Sequence, residues 1–228
     1  MSATQAPVNE GARLFEELLA VHGIMTRGAG LVAESFTRLA SGAAVDTATL
    51  ASTAQWLVAF VHHHHKSEDD LLWPVLRERF PEAVGRLDSL TEEHEVLDVE
   101  LDKLAKVIEQ LTKEPAGSGS VAWGQAMSEG TKSSHRIRDV LVTHLAAEEP
   151  VLKELFPAVP DPDVVRLRKA VTDGAPRSGP HLVFGFLEFP GPVPGRDHMY
   201  ANFPAPVRWA RRLLMNKFRK TLMALAYN

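Results

Sequence analysis

The sequence contains no cysteine. Disulfides, thiolate metal sites, iron–sulfur clusters and cysteine nucleophiles are thereby excluded, and any metal must be held by nitrogen and oxygen. Proline is missing from a long stretch: none falls between Pro7 and Pro74, whereas nine of the fifteen lie from Pro160 onward. That distribution suits long helices in the body and a more broken tail. No uncharged apolar run reaches the roughly 18 residues that a membrane-spanning helix needs. The first ten residues have neither a basic nor an apolar segment, so export is not expected and the cytoplasm is the expected location. Nucleophile elbows, phosphate-binding glycine loops and dinucleotide fingerprints are also missing, which leaves hydrolase, kinase and dehydrogenase chemistry without support.

What is present is an ordinary soluble composition of 228 residues, 45% apolar and 24% charged. That is enough for one or two domains with a real core, and it excludes intrinsic disorder. The net charge of -4 hides an asymmetry. Residues 1–163 hold 14 Lys/Arg and 26 Asp/Glu, a net of -12, and residues 164–228 hold 11 and 3, a net of +8. An acidic body with a basic tail gives no general affinity for nucleic acid. Ten histidines remain to be explained, four of them consecutive, from His62 to His65.

Apolar residues at Leu14, Leu18, Val21, Met25, Ala29, Val32, Phe36 and Leu39 describe one face of a first helix that carries His22 and ends at Ser41-Gly42. A second begins near Asp46 or Thr47 and runs through Leu50, Ala54, Leu57 and Val61. His64 and Glu68 then take over the same phase, ahead of a break expected at Pro74. The third is expected to open at Thr91 as N-cap. Its stripe is His94, Leu97, Leu101, Leu104, Ile108 and Leu111. A loop is expected at residues 115–120. The fourth helix then runs from Val121 through Ile137, Leu141, His144, Glu148, Leu152 and Leu155, with a kink expected at Pro150.

An internal repeat emerges from these phases: a stripe histidine, then a His-x-x-x-Glu pair, twice over. Four such helices with short connections predict an all-α, antiparallel up-down-up-down four-helix bundle over residues 10–157, with both halves aiming their polar residues at one interior place. On a helix, positions i and i+4 lie one turn apart on one face, so each pair presents a nitrogen and a carboxylate together. Two carboxylates and four imidazoles among leucines require positive charge. One ion could take four donors in a tetrahedron, but six or more donors with two carboxylates able to bridge suit two adjacent ions better. Nitrogen with oxygen suits iron, manganese or zinc.

The pattern His22…His64-His-Lys-Ser-Glu68-Asp…Leu-Leu-Trp-Pro74…Glu-Glu-His94…His144-Leu-Ala-Ala-Glu148-Glu149 resembles the hemerythrin-like (HHE cation-binding) domain. The resemblance implies a non-haem di-iron centre with His22, His64, His94 and His144 as ligands and Glu68 and Glu148 bridging. Two iron ions are the implied cofactor, ahead of manganese or zinc, and O2 or a related small oxidant the implied partner. Oxygen-carrying members have a His-x-x-x-His pair on the third helix, where this chain has His94 and then Asp98. Their last helix spaces histidine and aspartate by five, whereas here histidine and glutamate are four apart. In the broader family the residue after the second-helix histidine can also be a ligand, which makes His65 a candidate and Asp98 a weaker substitute. This changed donor set leaves O2 binding or sensing as the leading reading, with peroxide or nitric oxide chemistry and iron handling as alternatives.

The other candidates have plainer readings. His62, His63 and His135 are expected at the surface, and Asp69, Asp70 and Glu149 as acceptors behind the ligands or as solvated charges. Residues 158–228 form a basic extension: a short helix at Val164–Val171, a loop from Asp173 to Pro180, and an apolar stretch at His181–Phe189 read as a strand or extended cover. A Pro/Gly-rich segment follows, then an amphipathic helix at about 205–227. That last helix has Val207, Ala210, Leu214, Phe218, Leu222 and Leu225 on one face and six cations with no acid. It is expected to dock on the acidic bundle, on another subunit or on an anionic surface. His181 and His198 lie in this extension, and their spacing assigns them nothing.

Overall fold

The computed structural model describes residues 9–113, 119–174 and 178–227, and it is all-helical among them. Helix α1 (Glu10–Ala40) starts at Asn9, whose side chain accepts the Ala12 N–H, and stops at Ser41. Helix α2 (Thr47–Ser67) is capped in the same way by Asp46. A π-helical turn (Glu68–Leu72) follows directly and leads into α3 (Trp73–Arg79). The break expected at Pro74 thus takes the form of a widened turn. Pro74 sits in the first turn of α3, where its missing N–H costs little.

Helix α4 (Val84–Lys113) corrects the expectation at Thr91. Thr91 is no cap; its hydroxyl donates to the Leu87 carbonyl inside the helix, 3.1 Å away. The helix begins earlier because buried Leu87 and Leu90 extend the same stripe backward and nothing between them breaks it. Helix α5 (Val121–Leu155) is capped by Ser120 and runs on through Pro150. Residues 115–118 of the expected loop lie outside the described residues.

The four long helices close into a ring, α1 packing on α2 and α5, and α4 on those same two helices. Their stripes meet in a core that includes Met25, Val32, Phe36, Leu57, Leu97, Leu101, Ile137 and Leu141. A second cluster around Trp73, Leu76, Leu87, Leu152 and Phe156 closes one end. The polar interior residues lie where the two clusters meet.

The extension wraps this bundle. Helix α6 (Asp161–Gly174) covers the expected short helix and is tied to α1 by Arg168, which pairs with Glu10 at 2.6 Å and Glu17 at 2.8 Å. Residues 175–177 of the following loop lie outside the described residues. The stretch expected as a strand is instead helix α7 (Pro180–Glu188). Gly179, at φ 63°, turns the chain into it, and Pro180 takes the first turn, where its fixed φ favours a helix. Leu182, Phe184, Phe186 and Leu187 are buried. The Arg27 guanidinium of α1 donates to the Phe186, Phe189 and Gly191 carbonyls at 2.7–2.9 Å, pinning the end of α7. Burial lowers the Arg27 pKa from its ordinary value.

Helix α8 (Arg196–Asn202) follows Gly195, whose backbone passes so close to the Glu16 carbonyl that a Cβ would lie 1.6 Å from the oxygen. The expected amphipathic helix is two pieces, α9 (Ala205–Trp209) and α10 (Arg211–Ala224), parted at Ala210. Phe218, Leu222 and Leu225 join the main core. Asp46 N–H donates to the Ala224 carbonyl at 2.8 Å, and Arg38 donates to the Ala226 carbonyl. The extension therefore docks on its own bundle, α6 through the Arg168 ion pairs and α10 through apolar contact and these two hydrogen bonds. The acidic complement expected to hold the last helix on the bundle is absent among the described residues: Arg211 pairs with Glu188 of the extension itself, and Arg208, Arg212, Lys217, Arg219 and Lys220 make no ion pair there.

Candidate metal centre

Helical phase puts His22 of α1, His64 and His65 of α2, Glu68 of the π-turn, His94 of α4, and His144 and Glu148 of α5 into the bundle interior, all buried. They fall into two groups. Donor atoms of His22, His64, Glu68 and Glu148 lie within 4.8 Å of one another, as do those of His65, His94 and His144. The glutamates span both groups. Glu68 reaches His64 Nε2 at 3.2 Å and His94 Nε2 at 3.5 Å. Glu148 reaches His22 Nε2 at 3.7 Å and His144 Nε2 at 3.4 Å. All seven residues named from the sequence are thus brought to one place, His65 included.

His65 gets there because two adjacent positions of α2 face two neighbouring helices. At about 100° per residue, His64 turns toward His22 of α1, with ring centroids 5.2 Å apart, and His65 toward α4, where it stacks on His94 at 4.2 Å and 10°. Trp73, fully buried, lies on the other side of His94 at 6.2 Å.

An outer layer of carboxylates orients four of the five rings. Nδ1 of His22 lies 3.0 Å from Glu149, that of His65 3.0 Å from Asp98, that of His94 3.2 Å from Asp69 and that of His144 2.8 Å from Glu93. Each carboxylate accepts the Nδ1–H, and this fixes the tautomer that leaves the Nε2 lone pair facing inward. Most of the inward atoms are not hydrogen-bonded. His22, His64 and His65 Nε2 and all four oxygens of Glu68 and Glu148 are buried without a hydrogen-bond partner. His94 and His144 Nε2 face each other at 3.1 Å. With both rings neutral and their Nδ1 protons committed outward, that approach sets lone pair against lone pair.

The electrostatics agree. Burial, reinforced by Glu148, pushes the Glu68 carboxyl well above its ordinary value. Glu148 is also fully buried, yet His22, His144 and His64 hold its carboxyl low. Burial drives His64 down, and it drives His94, beside His65 and His144, to about 3. His144 is raised against its burial by Glu148 and Glu93. A cation relieves all of these conflicts at once, and buried imidazole and carboxylate donors suit iron, manganese or zinc.

The remaining candidates fall outside the cluster. Asp98, the weaker substitute, does not face it: the carboxylate accepts from His65 and also lies 3.2 Å from His62 Nδ1. Those two hydrogen bonds lower the Asp98 pKa in spite of partial burial. His62 is therefore partly exposed but paired. His63 turns against α6, where burial lowers its pKa. Asp70 pairs with Lys66 at 2.6 Å, His135 meets the Thr37 hydroxyl, and His198 is exposed. Glu93 was missed: the misplaced start of α4 made it a first-turn residue. One signal was available, since Asp69, Glu93, Asp98 and Glu149 each stand one position from a residue of an inward stripe.

Compared with known proteins, residues 13–159 match the family model described as the hemerythrin HHE cation binding domain. No curated protein and no solved structure matches the chain.

Proposed function

The chain belongs to the hemerythrin HHE cation-binding family, and from that premise we propose that it is a non-haem di-iron protein that binds O2 or a related small oxidant. The observation that carries this reading is the set of seven buried inward donors without partners, backed by four outward carboxylates. His22 and His64 would hold one iron, and His65, His94 and His144 the other. Glu68 and Glu148, each touching an imidazole of both groups, would bridge them. His65 thus supplies the imidazole that the third helix lacks.

The donor sets are unequal. Counting the bridges, the His65 side offers five protein donors and the His22 side four, and an octahedral ion takes about six. The His22 side is therefore where a small oxidant binds. Bound iron supplies the electrons that such a ligand accepts. The protein's part is to orient the imidazoles through Glu149, Asp98, Asp69 and Glu93, which take the Nδ1–H and make each ring a stronger donor at Nε2, and to exclude bulk water with Leu97, Leu101, Leu141 and Trp73 around the site. A surface cleft of about 550 Å³ between α4 and α5 is lined by Glu93 and His144, on the side of the site that holds the larger donor set.

Metal analysis of the purified chain, with absorption spectra before and after exposure to air, tests the reading. Two irons per chain with oxo-bridge charge-transfer bands are expected. A single zinc, or a folded chain that takes up no iron, refutes it. Rapid oxygen evolution from peroxide would move the assignment to a redox enzyme.

A further inference from the structure

We propose that α9 and α10 form a docking surface for an anionic phospholipid membrane. Residues 205–227 carry six cations and no acid. Arg211 pairs with Glu188 at 3.1 Å, whereas Arg208, Arg212, Lys217, Arg219 and Lys220 meet no carboxylate among the described residues. The helix has two faces. Phe218, Leu222 and Leu225 are spent on the bundle, yet Trp209, Leu213 and Met223 are 82%, 73% and 66% exposed. Leu213, Lys217 and Lys220 recur at i, i+4 and i+7, a single row pointing away from Phe218 and Leu222.

Round the helix from this row lies a cavity of about 530 Å³ walled by Arg211, Arg212 and Arg219, and by Glu188, which pairs with Arg211, over Phe189, Met215 and Phe218. Guanidinium groups above an apolar floor suit a phosphate that carries an apolar chain. A polyanion in water would satisfy the cations but leave Trp209, Leu213 and Met223 solvated. A bilayer interface takes both, with cations at the headgroups and apolar side chains at the acyl boundary. No helix of the described residues is long and apolar enough to cross a membrane, so the contact is peripheral.

The experiment is co-sedimentation of the full metal-loaded chain with phosphatidylcholine vesicles, with and without phosphatidylserine. The chain is expected to bind only the anionic vesicles, to be released by high salt, and to shift Trp209 emission to the blue relative to a Trp209→Phe control. At roughly a fivefold loss for each cation near the surface, Arg212→Gln, Arg219→Gln and Lys220→Gln together should weaken binding by on the order of a hundredfold. Leu213→Ser should weaken it with salt dependence retained. All four side chains are exposed, so melting and metal content should stay at wild-type values. Failure to bind anionic vesicles at low salt overturns the proposal, as does wild-type binding by the triple variant. Equal retention on nucleic acid, or a dimer that Leu213→Ser dissociates without any vesicle binding, overturns it in favour of a different occupant.

Discussion

Asp98→Ala tests whether His65 works through its outer carboxylate. The Asp98 oxygen lies 3.0 Å from His65 Nδ1 and is the only hydrogen-bond partner of that ring among the described residues. The carboxylate side chain is 41% exposed, so solvent takes back part of its contribution. A hydrogen bond to a charged group contributes about 1.5–3 kcal/mol, and this exposure places the loss near 1.5. That corresponds to roughly tenfold weaker binding of the ion held by His65, His94 and His144, at the lower edge of the 10–100-fold typical when such partners are removed. The assay is metal competition against a chelator, read at the charge-transfer bands. His62 shares the same carboxylate at 3.2 Å, so His62→Ala serves as the control and should leave affinity unchanged. His65→Ala alone should cost more than Asp98→Ala, and adding Asp98→Ala to it should cost almost nothing further, because the two act as one unit. Strict additivity of the two losses would refute the reasoning, since Asp98 would then act through something other than His65.

Stripping the metal should lower the melting temperature by roughly 5–10 °C, since a ligand at a hundred times its Kd stabilises by about 2.7 kcal/mol; equal melting of stripped and loaded chains would mean that the inward donors need no cation. Gly130→Ala places a Cβ 2.4 Å from the ring of fully buried Phe36, and should cost about 1–3 kcal/mol in denaturant unfolding with no change in metal content. Burial, helped by Lys217, lowers His181 to about 4 from 6.5. Its folded-state pKa lies below the unfolded one, so the stability it contributes is fully present above pH 6.5 and is lost as pH falls toward 4. His181→Gln should flatten that acid branch of a melting-temperature profile; superimposable profiles would sink the idea.

What could be read from the chain depended on whether the information ran along one helix or between two. His64 with Glu68 and His144 with Glu148 were legible because i and i+4 share a face whatever the neighbours are. His22 and His94 were legible because each lies on or beside an apolar stripe that fixes its direction. His65 was not settled by phase, since a position about 100° round the helix is inward only if a second neighbour stands on that side, and the place of α4 beside α2 is a tertiary fact. The same holds for Asp98 and Glu93, whose roles are contacts from α4 to α2 and to α5. The misreadings have a different cause. Thr91 offered a capping side chain, but a hydroxyl inside a helix can turn back on its own carbonyl, and buried Leu87 and Leu90 outweighed the local signal. At 181–189 a continuous apolar run has no period to read, and Gly179-Pro180 ahead of it was the decisive start signal. The charge argument for the tail failed for a related reason. Net charges of -12 and +8 describe whole segments, whereas docking is decided side chain by side chain, and on α10 the apolar face won the bundle and left every cation but Arg211 without a carboxylate.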